Sequence, residues 1–341
     1  MSALAAAVRR FGQQIAAGSA ALGTRVEVSE AVLDARAPWM TLATPGERSP
    51  NGSCRMVRAA DGWIAVNLPR EDDRAAVPAW IGCGLDDEPW AAIKAAARTR
   101  PAVRLAEDAQ RLGLPVAVVG AVRAAGADAP FRRSGAGATQ PGSRRLRVID
   151  LSSLWAGPLC GALLARAGCA VRKIESAARP DVARLSTPGF FAELNSGKGQ
   201  LALDFSDPND LDRLRQEIGR ADVLITSARP RAFDQLGLPP EAVFAANPGL
   251  VWTAITGYGW EGPLSHRVAF GDDAAAAGGL VRWRDGRPEF MGDALADPLT
   301  GLAAAAGTLK ALAQGGGGLV DVAMARTAAG VAARVGLEAA V

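Results

Sequence analysis

The chain has 341 residues, of which 49% are hydrophobic, with 38 Lys and Arg set against 35 Asp and Glu for a formal net charge of +3. Such a chain can build one large or two ordinary domains and is no candidate for global disorder, and so small a basic surplus is no nucleic-acid footprint. Its single histidine, His266, excludes a multi-histidine metal site and leaves at most one place for imidazole acid–base chemistry.

Residues 3–22 are Ala-rich and interrupted by Arg9 and Arg10, which predicts an amphipathic helix rather than a signal peptide. A second helix is expected over 27–35 and a loop over 46–53, GERSPNGS. CRMVRA and GWIAVNL, within 54–68, read as two short strands joined around Asp61-Gly62 in a hairpin. Helices are expected at 71–82, 88–98 and 103–112, followed by a strand-like run at 114–122. Residues 126–145 combine small residues, prolines and arginines without an apolar period, the composition of a linker.

The second part alternates regularly. Strands are predicted at 146–152, 170–176, 201–206, 222–228 and 250–259. A helix over 156–168 closes on Gly168, and another over 208–221 sets Leu211, Leu214 and Ile218 on one face. This order predicts an α/β fold with a parallel sheet covered on both faces. Ligands in such sheets lie beyond the carboxyl ends of the strands, so the loops after 152, 176, 228 and 256 are the first places for a site. Cys54, Cys83, Cys160 and Cys169 form no C-x-x-C pair, which removes zinc ribbons and thioredoxin-type motifs and suits buried thiols in a reducing compartment. No run approaches the roughly 18 apolar residues of a membrane span, so a cytoplasmic location is expected.

Several motifs carry two readings. Ser152–Pro158 follows the first of these strands and opens a helix, where N–H groups suit a phosphate; it can equally be an ordinary strand–helix turn, and G-x-G-x-x-G is absent. Asp293 and Asp297 stand four apart before an Ala-rich helix. Asp297 precedes Pro298, so it is either an N-cap or a carboxylate held ionised at a helix start and able to act as nucleophile or base. Asp272-Asp273 is a cap with a solvated neighbour, or a pair with split pKa values or a cation between them. Arg179, Arg229, Arg231 and Arg267 are solvated arginines or a polyanion site. Gly315–Gly318 reads as a tight turn, since no Lys-Ser/Thr follows. No Gly-x-Ser-x-Gly elbow is present, and His266 lies in a loop, so a Ser-His-Asp triad has no support.

Seven segments in order, VIDLSSLWAGPLCGALLARAGCAVRKIE (148–175), LNSGKGQLALDF (194–205), ADVLITSARPRAFDQLGL (221–238), NPGLVWTAITGYGWEGP (247–263), FGDDAAAAGGL (270–280), GDALADPLTGLAAAAGTLKAL (292–312) and GGLVDVAMA (317–325), resemble the class III coenzyme A-transferase family, which includes formyl-CoA transferase, carnitine CoA-transferase and α-methylacyl-CoA racemase. The resemblance implies an open parallel-sheet, nucleotide-binding-like large domain with a smaller α+β domain. It places the catalytic aspartate on Asp297, working through a mixed anhydride and an aspartyl-CoA thioester with no metal or redox cofactor. It implies CoA contacts at Leu154, Trp155, Ala156, Gly157, Asn195, Lys198, Leu203 and Arg229, with Arg179 standing in for the basic residue absent at Ser176, and a substrate-side place for Asp272.

Where the racemase branch carries G-H-D, this chain has Gly271-Asp272-Asp273. A racemase needs two groups of matched pKa on opposite faces, so the missing histidine favours transfer. Racemization or epimerization is the second reading, and a catalytically weak CoA-ligand-binding paralogue the third. Family members place the nucleotide-fold part first; here residues 50–122 resemble the smaller domain, which implies a circular permutation. The implied domains are 1–125 (N-terminal helices and small α+β domain), 126–145 (linker) and 146–341 (CoA-transferase large α/β domain). GERSPNGS, in the place of the family's glycine-rich lid, holds only Gly46 and Gly52. The implied partners are an acyl-CoA, a carboxylic acid acceptor and a second copy in an interlocked homodimer, with no nucleic acid and no membrane.

Overall fold

Alternating apolar runs and amphipathic segments fold into the elements that follow. The computed structural model describes residues 2–124, 126, 128–135, 137 and 144–337. In chain order they are α1 (Ser2–Ala20), β1 (Cys54–Arg58), β2 (Trp63–Asn67), α2 (Glu71–Ala75), α3 (Val77–Ile81), α4 (Pro89–Ala97), α5 (Ala102–Arg111), β3 (Val116–Val118), β4 (Phe131–Arg133), β5 (Arg147–Asp150), α6 (Ala156–Arg166), β6 (Ala170–Ser176), α7 (Ala183–Ser186), α8 (Pro188–Asn195) and β7 (Gly199–Leu203). They continue with α9 (Pro208–Gly219), β8 (Val223–Thr226), α10 (Pro230–Gln235), α11 (Pro240–Ala246), β9 (Val251–Thr256), α12 (Gly271–Ala277), β10 (Arg282–Arg284), β11 (Arg287–Glu289), α13 (Ala296–Ala313), β12 (Gly318–Ala323) and α14 (Met324–Arg334). They form two units, each drawn from three stretches: Met1–Met40, Gly126–His266 and Pro298–Ala323 in the first, Thr41–Ala125, Arg267–Asp297 and Met324–Val341 in the second.

The first unit is built on a seven-stranded sheet of order β4-β12-β9-β8-β5-β6-β7. All neighbours pair in parallel except β4, which runs antiparallel to β12. With β5 taken as the first parallel strand, the order is 3-2-1-4-5-6, that of a doubly wound nucleotide-binding sheet. The central strands VLIT, VWTAIT and GLVDVA are buried at every position. Continuous β-branched runs therefore replace alternation, because helices cover both faces. Edge strand β7 is largely exposed. One face packs Ile149, Ile174, Leu214, Ile218, Leu224 and Phe244 around Trp252, whose ring lies 5.2 Å from Phe233 and 5.1 Å from Trp260. Gly315, Gly316 and Gly317 take φ of 90°, 67° and 73°, so the tetraglycine is a tight turn into β12.

The second unit is α+β. Its sheet β1-β2-β3 is antiparallel and is buried on both faces. The period-2 alternation of strands sorts the side chains. Val57, Ile64 and Val66 join Trp80, Ile93 and Leu105 on one side, while Cys54, Met56 and Ala65 meet Ala276, Val281 and Phe290 on the other. Helix α12 is buried along its whole length. It crosses α14 so closely that a Cβ on Gly278 would stand 2.5 Å from the Ala329 nitrogen.

The expected fold class, a large open parallel-sheet domain with a smaller α+β one, is the one observed. Local differences have local causes. The helix expected at 27–35 is a single 3₁₀ turn, Glu30–Asp34, with a second turn beyond it at Ala37–Trp39, where Pro38 offers no N–H to carry a helix on. The helix expected at 71–82 breaks at Ala76, because Pro78 has no N–H for the carbonyl of residue 74. Within 126–145, residues 127, 136 and 138–143 lie outside the described residues, and Phe131–Arg133 forms edge strand β4. Cys54, Cys160 and Cys169 are buried, Cys83 is partly so, and all four are free thiols. Burial, with Asp150 adding, pushes Cys160 up to about 12; burial also lifts Cys169 to about 11. Such thiols are poor nucleophiles. Among the described residues, no helix is long and apolar enough to cross a membrane.

Candidate active site

The second unit gathers four carboxylates, Asp272, Asp273, Asp293 and Asp297, onto two turns. Asp272 and Asp273 lie in the first turn of α12, where backbone N–H groups favour negative charge. Asp272 Oδ1 accepts from the Ala294 N–H at 2.8 Å, and its Oδ2 accepts from Asn51 Nδ2 at 2.6 Å. The same amide nitrogen donates to Asp293 Oδ1 at 2.8 Å. Asn51 cannot turn over, since its Oδ1 accepts from the Ser53 N–H at 2.9 Å and the Ser53 hydroxyl at 2.6 Å. One side chain thus pins two carboxylates that lie 221 and 242 positions away in sequence.

Ala294, between the two turns, has φ 45°, a region that non-glycine residues seldom enter. Its carbonyl accepts the Asp297 N–H at 2.8 Å as α13 begins. Helix α13 starts at Ala296, so Asp297 sits inside the first turn rather than at the N-cap. Gly271 lies against it: a Cβ there would overlap Asp297 Oδ2 and stand 2.5 Å from the Ala294 carbonyl oxygen. Asp272, Asp273 and Asp293 are 2%, 0% and 5% exposed, whereas Asp297 is partly open. It is the member of the cluster that an incoming molecule can reach.

Electrostatics separates the remaining groups. Burial, then the charge of Asp272, pushes the Asp273 carboxyl well above the usual aspartate range, against the opposing hydrogen bonds from Asn67 and the Phe270 N–H. Burial, then the charge of Asp272, pushes the Cys54 thiol well up. Among the described residues, no group of three or more His, Cys, Asp and Glu is arranged to hold a metal ion.

Two substitutions test this geometry. Gly271→Ala would displace the Asp297 carboxylate or the Ala294 backbone by about an ångström, the size of the overlap its Cβ would make; a crystal structure of the variant, with a thermal melt, measures it. Asn51→Ala removes the shared donor of Asp272 and Asp293. A loss of about 1–3 kcal/mol in denaturant-melt stability is expected, because two buried carboxylates each lose a donor.

In the first unit, the strand order reverses between β5 and β8. The Ser153 N–H on the first loop donates to Ser227 Oγ on the second at 2.9 Å. Leu154 is held at φ 69°, with its N–H 3.2 and 3.1 Å from the two Asp181 oxygens. Lys173 Nζ, fully buried, donates to the Ser152 carbonyl at 2.7 Å and reaches Asp181 at 3.3 Å. A Cβ on Gly157 would overlap the Ser152 side chain, so glycine lets α6 start directly above the turn. Under the turn, Lys198 Nζ donates to Asp150 Oδ2 (2.9 Å), the Pro158 carbonyl (2.8 Å) and Asn195 Oδ1 (3.0 Å). Burial drives the Asp150 carboxyl upward, but Lys198 and Lys173 outweigh it and hold the group below its ordinary range.

The residues expected from sequence fall into three environments. Asp272 and Asp297 share the second unit's cluster. Leu154, Trp155, Ala156 and Gly157 form the switch-point turn, with the Trp155 ring buried edge-on to Phe190 at 5.1 Å and the Arg36 guanidinium 5.3 Å over it. Arg179 and Arg229 are exposed, and Arg229 Nη1 donates to the His266 carbonyl at 3.3 Å. Asn195 and Lys198 are spent on protein partners, since an ammonium has three protons and three acceptors take them. Leu203 is 1% exposed within the core. Sequence reading missed Asn51, Asn67, Lys173 and Asp181. Lys173 alone left a signal: a lysine inside an apolar parallel strand requires a buried partner.

The first unit is a doubly wound sheet with a helix-opening turn at its switch point, the place where open α/β folds take ligands, and the second unit is an α+β one that carries a partly exposed carboxylate. The family model for CoA-transferase family III matches residues 144–340, more than half of the chain, and the chain belongs to that family. It is 30% identical over 191 residues to a succinyl-CoA–D-citramalate CoA-transferase from Chloroflexus aurantiacus, covering 52% of this chain and 48% of that one. It is 32% identical over 179 residues to a formyl-CoA:oxalate CoA-transferase from Bradyrhizobium sp., covering 50% and 42%. The chain thus spans about half the length of the curated relatives it matches. Among solved structures, a CAIB/BAIF family protein from Brucella suis superposes with a TM-score of 0.52 at 29% identity, over 58% of this chain and 56% of that one.

Proposed function

We propose that the chain is an acyl-CoA:carboxylate CoA-transferase with Asp297 as its nucleophile. The observation that carries this reading is the partial exposure of Asp297 in a cluster whose other carboxylates are buried and bonded. The Asp297 carboxylate attacks the thioester carbonyl, the C–S bond breaks, and an acyl-aspartyl anhydride and a CoA thiolate form. The thiolate attacks the aspartyl carbonyl, releasing the acyl group as a free acid and leaving an aspartyl-CoA thioester. An incoming carboxylate takes the CoA by the reverse steps. The chemistry calls for no metal or redox cofactor. The first turn of α13 favours the anionic carboxylate, and Gly271 leaves room at its Oδ2.

The Leu154–Gly157 turn is our choice for the CoA-receiving loop, with Arg179 and Arg229 as accessible cations for phosphates. Asn195 and Lys198 support that turn from beneath. Racemization is the weaker reading, because Asp272, in place of the histidine, is 2% exposed with both oxygens engaged. We further read residues 50–122 as the family's smaller domain in permuted order, in keeping with a family match that begins only at residue 144. A homodimer in the cytoplasm completes the proposal; light scattering at the monomer mass would remove the dimer.

The deciding experiment is trapping. The protein is incubated with succinyl-CoA or formyl-CoA and then quenched with hydroxylamine or borohydride. A mass shift on the peptide containing Asp297 is expected. Unmodified Asp297 across a broad acyl-CoA panel, with CoA binding intact, would replace this reading with a ligand-binding one; deuterium entering the α-carbon without CoA exchange would favour the racemase.

A further inference from the structure

Asn67 on β2 and Asp273 on α12 share one hydrogen bond and leave two oxygens over. Asn67 Nδ2 donates to Asp273 Oδ1 at 2.8 Å, and the Phe270 N–H donates to the same oxygen at 2.9 Å. Asn67 Oδ1 and Asp273 Oδ2 are both buried, and neither has a hydrogen-bond partner among the described residues. An amide oxygen only accepts, and so does an ionised carboxylate. With Asp273 charged, two buried acceptors would stand without a donor, which native interiors rarely tolerate. Turning the Asn67 amide over would move its donor to Oδ2 but set the amide oxygen against Oδ1, two acceptors face to face, and would still leave that amide oxygen without a donor. A single proton on Oδ2 satisfies both atoms. The amide N and O and the two carboxyl oxygens are similarly spaced on their carbons, so a first bond through Nδ2 and Oδ1 sets the second pair opposite each other when the two groups are coplanar.

We infer that Asp273 is carried as a neutral carboxylic acid, its Oδ2 hydroxyl donating to Asn67 Oδ1 and closing a two-bond acid–amide ring that fastens α12 to β2.

The surroundings agree. Asp273 is 0% exposed. Asp272 beside it on α12 opposes a second negative charge. Cys54 on β1 is a thiol whose burial disfavours the thiolate. β2 and β3, which pack under α12, contain no charged residue. Arg70, just before α2, is engaged with Asp73 through Nε at 3.0 and 2.9 Å and stands 5.5 Å over the Phe270 ring. Arg326 is the charged residue near the start of α14, the helix that α12 crosses. The ring sits two residues from Gly271, the backbone that Asp297 rests against. A neutral Asp273 holds that backbone in place without adding a charge beside Asp272. The ring itself does not depend on the transferase reading; only this last consequence does.

The test is ¹³C NMR or isotope-edited infrared spectroscopy of the resting full chain labelled at aspartate carboxyls. At pH 7 the wild type is expected to show one protonated aspartic acid signal that Asp273→Asn lacks. Asparagine can keep the ring, its Nδ2 donating to Asn67 Oδ1, so this variant is expected to fold. The protonated form is favoured on folding, so its stabilisation is complete at low pH and is lost as pH rises through the folded-state value. The Asp273→Asn variant should therefore gain melting temperature relative to wild type as pH is raised. An unchanged spectrum on substitution, or a wild-type titration in which every aspartate is ionised by pH 6, would overturn the inference. Each readout is independent of turnover, so a chain that transfers no CoA still tests the ring.

Discussion

Asp297→Asn is expected to abolish CoA transfer, lowering kcat by on the order of 10⁴-fold or more, as loss of a covalent nucleophile does. The amide matches the carboxylate in shape but cannot form the anhydride, so the trapped adduct should vanish with the activity. Asp297 is partly open and lies at the surface of its cluster, so the melting temperature should move by no more than a few degrees. Asp297→Glu separates position from chemistry. It keeps the carboxylate and moves it by about an ångström, where a loss near 10²-fold is expected. Full activity in Asp297→Asn would disprove the assignment. Equal losses in the Asn and Glu variants, with no adduct in either, would mean that a carboxylate displaced by this distance is no better than none and that position is as strict a requirement as chemistry.

Lys198→Met is expected to destabilise the protein by about 3–5 kcal/mol, because it strands the Asp150 carboxylate in the interior. The pair is fully buried on both sides, 2.9 Å apart. The pH dependence carries a sign. Asp150 is held below its ordinary range, so its contribution is present above that range and is lost as pH falls through the folded-state value. Without Lys198 the carboxyl is free to protonate, and the gap between wild type and variant should narrow toward acid pH. The double variant Asp150→Asn/Lys198→Met should regain much of the stability, since neither charge is then left unpaired. Chemical denaturation at several pH values measures all three. A Lys198→Met protein as stable as wild type, but weakened in CoA binding, would return the ammonium to the role of a ligand contact.

The doubly wound sheet was legible because its signal is local. Runs such as VLIT and VWTAIT, separated by helical segments, carry their own period, and their burial is complete. That Asp297 and Asp272 stand where helices begin was legible, because each lies in a short turn with a recognisable neighbourhood. The surroundings of Lys198 and Leu203 were not. The resemblance marks Lys198 and Leu203 as CoA contacts, but nothing near Lys198 in sequence announces Asp150, 48 positions earlier, against it, and nothing near Leu203 announces the core it joins behind β7. Asn51 was the least legible of all. It sits in a polar loop of the kind that usually faces water, and only the folded chain brings it to Asp272 and Asp293.

The division of the second unit into three stretches of chain has a consequence for synthesis. When residues 41–125 leave the ribosome, their sheet can close and Val57, Ile64 and Val66 can find Trp80 and Leu105 at once. The opposite face, with Cys54, Met56 and Ala65, must wait for Ala276, Val281 and Phe290, more than 200 residues later. Contacts so distant form late and slowly. At roughly 5–20 residues per second the nascent chain carries an uncovered apolar sheet face for tens of seconds, so this protein should depend on chaperones during translation more than its length suggests.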